Sequence, residues 1–245
     1  KREIKIAVGL GIEVNPYEIK DGELIASDDN LLLIDSNGTL KLPESVTTIG
    51  EGAFSGLDGL KTIVIPGSVK EIAKHAFSYN KTLEKVIIED GVKIIGNNAF
   101  MHCDNLKEIK IPTTVNEIGG LAFYYCLSLK EVEIPSSVKE IGEDAFAYNS
   151  TLEEVEIENG VEIVGARAFK GCISLKKITF PDSVTKIGSA CMNTCQKLVS
   201  IKFPKNITTI TGNLLYNCTS LKQIEIPSKV TYIESYAFSG CTEVK

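Results

Sequence analysis

Apolar and polar residues alternate along this chain in a unit of fixed length. In residues 112–134, "PTTVNEIGGLAFYYCLSLKEVEI", the apolar positions are Val115, Ile118, Ala122, Phe123, Cys126, Leu129, Val132 and Ile134. The segment Leu129, Val132, Ile134 ends in strict alternation, which predicts a strand with one buried face. Val115 and Ile118 predict a second, shorter extended piece, and Gly119 marks a bend after it. The G-x-x-A-F-x-x-C stretch is too short for an ordinary helix and predicts one or two helical turns of the 3-10 type.

The same unit recurs in register. Seven of the eight prolines (Pro43, Pro66, Pro112, Pro135, Pro181, Pro204 and Pro227) are separated by 23 residues or a multiple of 23. Glu89 and Glu158 fill the two gaps, followed by the turn signals Asp90-Gly91 and Asn159-Gly160. Taking these residues as position one gives eight complete repeats and a ninth of 19 residues that ends at Lys245. Proline cannot donate to a sheet ladder, so it stops pairing after each strand. One such unit cannot bury enough apolar surface to offset the entropy of ordering it. Stacked on its neighbours it can, so the pattern predicts a solenoid over residues 43–245. Residues 1–42 differ and are expected to form an N-terminal cap, with a hairpin around Ser36-Asn37-Gly38. Val244 sits where the strand leucine belongs, so a last repeat left partly open, or a cut within a longer protein, is expected there. Repeats two to four closely match five to seven: "PGSVKEIAKHAFSYNKTLEKVII" at 66 mirrors "PSSVKEIGEDAFAYNSTLEEVEI" at 135, a duplication of 69 residues.

With "IPSSVKEIGEDAF" and a following "C…LKxIxI" at period 23, the chain resembles the BspA-like leucine-rich-repeat proteins over residues 43–245. The stretch "DGELIASDDNLLLIDSNGTLKLP" is similar to the hairpin that precedes such arrays. The resemblance implies an α/β, β-rich leucine-rich-repeat solenoid: a curved right-handed superhelix with a concave parallel sheet and short helical or 3-10 turns on the other side. It also implies a secreted or surface-attached protein that adheres to host or matrix macromolecules, with no catalytic residues and no cofactor.

Composition narrows the field. The net charge of −6 provides no basic face for nucleic acid or an anionic membrane. No stretch approaches ~18 consecutive apolar residues, so nothing reads as a bilayer span. Lys1-Arg2-Glu3 carries no signal-peptide pattern. Seven cysteines are an odd number, so disulfides cannot account for all. Cys103, Cys126, Cys172, Cys195, Cys218 and Cys241 share position fifteen of their repeats, where Asn80, Asn149 and Leu57 stand in the others. A catalytic thiol would not recur six times, and no close Cys-x-x-Cys pair suggests a metal site. The expectation is a buried thiol ladder, with asparagine substituting by bonding backbone. Cys191 takes the alanine position and is expected in the core.

Other motifs dissolve into the repeat. "GEGAFSG" at 50–56 lacks phosphate-loop spacing, and "SVTK" at 183–186 is repeat consensus. His75 and His102 occupy different positions without triad companions. Asp28-Asp29 and Asp35 are better read as hairpin than as calcium ligands.

Function is therefore expected on outward rows. Position fourteen holds Tyr79, His102, Tyr125 and Tyr148 in four successive repeats, with Met101 and Tyr124 beside it and Tyr216 further along. Such a row is either a protein-contact patch or a cover over the core edge. On the strand face, Glu108, Glu131, Glu133, Glu154 and Glu156 cluster, bounded by Lys85, Lys110, Lys177 and Lys202. Like charges on adjacent strands destabilise slightly, so this cluster reads as a site for a basic partner or as a solvated face. The expected partner is a protein or a glycan. A structural spacer and a carbohydrate-binding module are the alternatives to an adhesin.

Overall fold

The computed structural model describes residues 34–245 and the backbone of two strands before them, β1 (Glu18–Lys20) and β2 (Glu23–Ile25). Each repeat up to residue 203 contributes two strands, and the last two contribute one each. The longer ones lie at the end of the repeat: β3 (Thr39–Lys41), β5 (Thr62–Ile65), β7 (Lys85–Ile88), β9 (Glu108–Lys110), β11 (Glu131–Ile134), β13 (Glu154–Ile157), β15 (Lys177–Thr179) and β17 (Ser200–Lys202). The shorter ones hold the isoleucine of positions six and seven: β4 (Thr48–Ile49), β6 (Glu71–Ile72), β8 (Ile94–Ile95), β10 (Glu117–Ile118), β12 (Glu140–Ile141), β14 (Ile163–Val164), β16 (Lys186–Ile187), β18 (Thr209–Ile210) and β19 (Tyr232–Ile233). Wherever these strands pair with one another they do so in parallel, one repeat to the next, so the fold is a parallel leucine-rich-repeat solenoid.

The short strands form a continuous nine-stranded sheet from β1 to β16, with β18–β19 as a separate pair. At its start β2 runs parallel to β4, through Glu23↔Thr48 and Leu24↔Ile49, and β1 folds back antiparallel on β2. This antiparallel pair lies before the segment Ser36-Asn37-Gly38 at which a hairpin is expected from the sequence. At the expected site, Asp35 Oδ1 accepts from the amides of Asn37 (2.8 Å) and Thr39 (2.9 Å), and Gly38 N–H donates to Asp35 O. That turn launches β3, which pairs in parallel with β5. Residues 26–33, with Asp28 and Asp29, lie outside the described residues.

The long strands alternate strictly between outward and buried residues, as in β11 and β13. Their ladder has one gap. β3-β5-β7-β9 and β11-β13-β15-β17 are two separate four-stranded sheets, so β9 and β11 are neighbours without ladder pairing. Neither strand carries a residue that forbids pairing, and nothing in the structure explains the gap.

The expected helical turns are absent: no helix occurs among the described residues. Positions ten and fourteen of every repeat have positive φ, from Gly52 (65°) and Gly56 (69°) through Leu121 (58°) and Tyr125 (60°) to Tyr236 (59°) and Gly240 (81°). A 3-10 helix needs consecutive right-handed residues, and a left-handed residue every fourth position prevents that. The segment is instead a chain of β-turns. Alternate amides close turns within the repeat, as in Ala99 N–H to Gly96 O and Met101 N–H to Asn98 O. The amides between them cross to the next repeat, as in Phe77 N–H to Ala99 O (2.7 Å) and Phe123 N–H to Ala145 O (2.7 Å). This third strip of inter-repeat hydrogen bonds satisfies backbone groups that a helix would have paired internally.

Inside, identical positions stack. Phe54, Phe77, Phe100, Phe123, Phe146 and Phe169 form a column of near-parallel rings with centroids 5.0–5.6 Å apart. Met192 continues it. Glycines at position eight let backbones approach closely: a Cβ on Gly142 would stand 2.5 Å from the Gly119 carbonyl carbon. No helix among the described residues is long and apolar enough to cross a membrane.

Candidate functional site

The position-fifteen cysteines line the interior beside the phenylalanine column. Each thiol donates to the carbonyl at position twelve of the preceding repeat: Cys103 to Phe77 O (3.3 Å), Cys126 to Phe100 O (3.4 Å), Cys172 to Phe146 O (3.2 Å), Cys195 to Phe169 O (3.3 Å), Cys218 to Met192 O (3.1 Å) and Cys241 to Leu215 O (3.1 Å). All seven cysteines are free thiols, and six of them, Cys191 included, are buried. Burial pushes the thiols of Cys172, Cys191 and Cys218 up to about 12 and raises Cys103, Cys126 and Cys195 as well. A thiol held protonated is a poor nucleophile and a poor metal ligand.

Asparagine fits the same slot through its amide. Asn80 Nδ2 donates to Phe54 O (2.8 Å) and Phe77 O (2.9 Å), while its Oδ1 accepts from Leu57 N–H (2.6 Å). Asn149 Oδ1 accepts from Cys126 N–H (2.7 Å), but its buried Nδ2 has no partner.

Position fourteen lies one residue before this ladder, on the outside. Tyr79, His102, Tyr125 and Tyr148 all adopt the left-handed conformation, with φ of 57–62°. They sit where a β-turn with positive φ normally takes Gly or Asn, and Gly56, Gly171, Asn217 and Gly240 do so in other repeats. Left-handed backbone costs a bulky residue roughly 1–2 kcal/mol. Stacking offsets that cost. The Tyr79–His102, His102–Tyr125 and Tyr125–Tyr148 centroids lie 5.2, 4.9 and 5.0 Å apart, with planes within 25° of parallel. Each such contact is worth about 0.5–1.5 kcal/mol.

Tyr124 joins from position thirteen, presenting a tilted or edge-on ring to His102, Tyr125 and Tyr148. Burial, then the neighbouring Tyr125 and Tyr148 hydroxyls, raise its pKa above the usual phenol range. The stack closes at one end. The Tyr148 ring lies over Gly171, where an added Cβ would meet its Cδ1 at 2.6 Å, and Lys170 Nζ is 5.6 Å from its centroid. Below the stack Asp104 Oδ1 is buried without a hydrogen bond, 3.4 Å from His102 Nδ1. Met101 Sδ accepts from Asn98 Nδ2 (3.0 Å), and Tyr216 makes no ring contact among the described residues.

The acidic row is placed by strand register. Glu131 faces Glu154 and Glu133 faces Glu156 across β11 and β13, with Lys177 next to Glu154. No ion pair reaches these four glutamates among the described residues, whereas Glu108 is held by Lys85 at 2.7 Å. One position earlier the charges do cancel: Lys107 binds Glu84 (2.8 Å) and Lys176 binds Glu153. Those hydrogen bonds hold both carboxyls below their ordinary range. The four glutamates, with Lys110 and Thr113, line a groove of about 530 Å³ beside the gap between β9 and β11.

A larger groove, about 860 Å³, runs along the opposite edge past Lys74, Asn97, Glu117 and Glu140. Arg167 there is already engaged by Asp144 (2.9 Å) and Glu143, so it offers no unpaired cation. Sequence reasoning did not find this groove. The signal was available, because position ten is outward in every repeat.

The repeated strands, the turn segment and the thiol column match one known pattern, the "BspA type Leucine rich repeat region", found in 6 copies over residues 35–153 and 140–245. This chain belongs to the BspA-type leucine-rich-repeat family. Family membership indicates a protein-interaction repeat scaffold. Among solved structures, it is similar to the leucine-rich repeat protein of T. pallidum, with TM-score 0.57 and 23% identity over 94% of this chain and 87% of that one. A leucine-rich cell surface protein of Faecalibacterium prausnitzii gives 0.55 and 22% over 97% and 88%, and a leucine-rich repeat protein of Bacteroides ovatus 0.53 and 24% over 96% and 81%. At these identities the likeness is one of fold. No curated protein sequence matches the chain.

Proposed function

We propose that this BspA-type array is a non-catalytic binding module of a secreted or surface-attached protein, of the adhesin type, and that it contacts host or matrix proteins through the aromatic stack. The observation that carries the reading is the run of four left-handed aromatics at Tyr79, His102, Tyr125 and Tyr148. The fold accepts glycine at the same position in Gly56 and Gly171, so neither the rings nor their left-handed strain is required by the scaffold. Aromatic clusters of this kind anchor protein interfaces.

The stacking argues against the carbohydrate-binding alternative. A sugar packs on a ring face, and the faces of His102 and Tyr125 are covered by neighbouring rings. The strand face, concave in the curvature the family implies, offers a second reading. Its four unpaired glutamates suit a basic segment of a partner. Residues 1–42 act in this reading as the N-terminal cap, and the run from β1 through β2 into β4 supports it. A spacer role in a longer surface protein is the outcome if neither surface binds.

The test is binding to a panel of extracellular-matrix proteins and glycans by three versions of the protein: unaltered, Tyr79/Tyr125/Tyr148→Ser, and Glu131/Glu133/Glu154/Glu156→Lys. Saturable binding lost in the serine variant alone supports the aromatic surface, and loss in the lysine variant alone moves the site to the strand face. Absence of saturable binding in all three sinks the adhesin reading.

A further inference from the structure

The aromatic stack is closed at Tyr148 but open at Tyr79. Position fourteen of the preceding repeat is Gly56, with φ of 69°, and a Cβ placed there meets nothing within 4 Å. Gly171 has the same backbone conformation, but its Cβ space is filled by the Tyr148 ring. The rings therefore lean toward the following repeat, and the first of them has no ring leaning on it. Tyr79 has one aromatic neighbour, His102, on one face. Although that face is covered, Tyr79 remains 47% exposed, the only ring of the stack among the exposed large hydrophobics.

We propose that the free face of Tyr79, in the space above Gly56, seats a planar aromatic side chain of a protein partner as the fifth ring of the stack. This rests on the protein-binding reading above and names where that binding is anchored. The spacing is already set, because a ring entering about 5 Å from Tyr79 repeats the 4.9–5.2 Å interval of the existing stack. The neighbouring polar groups favour an aromatic over a sugar. The hydroxyls of Ser55 and Ser78, the residues that precede Gly56 and Tyr79, are hydrogen-bonded to each other at 3.0 Å, and Ser55 also donates to Ser78 O. A sugar would need free hydrogen-bonding groups around the ring, and a hydrocarbon ring would not.

The experiment is a saturation-transfer NMR titration with two probes, N-acetyltryptophanamide and methyl β-glucopyranoside. It compares the unaltered protein with Tyr79→Phe, Tyr79→Ser and Gly56→Tyr. Gly56→Tyr supplies the fifth ring from the protein itself, in a conformation four neighbours already adopt. The expected result is binding of the tryptophan amide by the unaltered protein and by Tyr79→Phe, about five- to tenfold weaker in Tyr79→Ser and Gly56→Tyr. Equal binding by Tyr79→Phe and Tyr79→Ser overturns the proposal, as does no binding by the unaltered protein or binding of the glucoside alone. If Gly56→Tyr does not fold, the two Tyr79 variants decide. A matrix protein that binds Gly56→Tyr normally but not Tyr79/Tyr125/Tyr148→Ser would overturn the slot and leave the module reading intact.

Discussion

Residues 66–134 and 135–203 are two copies of one 69-residue unit that share a core and differ on the surface. The phenylalanine column passes through both, as Phe77, Phe100 and Phe123 and then Phe146, Phe169 and Met192. Position fourteen reads Tyr79, His102, Tyr125 in the first copy and Tyr148, Gly171, Thr194 in the second. The long-strand ladder differs too. β15 and β17 pair through Lys177↔Ser200, Ile178↔Ile201 and Thr179↔Lys202, while the equivalent β9 and β11 do not pair. One scaffold thus carries two outer surfaces, which places the demands of folding on the shared positions and leaves the divergent ones free to vary.

The comparison breaks most readily in the core. Phe123→Ala removes a ring stacked on both sides and is expected to cost about 3–5 kcal/mol. Its counterpart Met192→Ala, with a smaller and more adaptable side chain, is expected to cost about 2–3 kcal/mol. Urea unfolding at constant m would measure both. Equal losses would mean that the second copy is packed as tightly as the first.

Next comes pH. Cys172, Cys191 and Cys218 have thiols raised from 9.0 to about 12 in the folded protein. Unfolded, they ionise above the lower value, so the unfolded state then binds fewer protons and gains. Stability is therefore complete below pH 9 and is lost between about pH 9 and 12, by roughly 1.4 kcal/mol per thiol per pH unit. Denaturation at pH 8 and pH 10 checks this, and Cys172→Ala should flatten the dependence. In the native state below pH 9, a thiol reagent should label the half-exposed Cys241 first and the six buried thiols only after denaturation.

A smaller effect separates the two copies by sign. Tyr125→Gly relieves left-handed strain but loses two stacking contacts, so it is expected to destabilise by about 1 kcal/mol. Thr194→Gly relieves the strain of a β-branched residue at φ of 65° and loses no ring, so it should stabilise by roughly 0.5 kcal/mol. Thermal melts of the pair decide it, and a shared sign would mean that the stack does not offset its strain. Smallest of all is Lys85→Ala, which removes an exposed pair with Glu108 and should change stability by less than about 0.5 kcal/mol.

The strands, the repeat boundaries and the burial of Cys126 were legible because burial imposes a period on the sequence. The turn segment was not. Ala122-Phe123 with Cys126 has the spacing of a helical turn, but φ at Leu121 and Tyr125 is positive, and neither residue advertises that. The glycines at Gly52, Gly56, Gly171 and Gly240, at the same two positions of other repeats, were the readable sign. The aromatic row was legible as residues but not as a stack. Four rings at the same repeat position must lie about one strand spacing apart, close enough to cover each other's faces. The gap between β9 and β11 leaves no trace in the sequence.

That gap has a mechanical meaning. From β3 to β17 the coil is otherwise braced by three strips of backbone hydrogen bonds: the long strands, the short strands and the turn segment. Between β9 and β11 the long-strand brace is missing, while the short strands β8 and β10 still pair and Phe100 N–H still reaches Ala122 O. One of the three braces is therefore absent near residue 111 while the other two run through. Faster amide exchange in β11 than in β13, which is paired on both sides, is expected there, and equal rates would show that the missing pairing does not loosen the array. A coil that lacks one brace of three at a single point can open there locally without losing the other two.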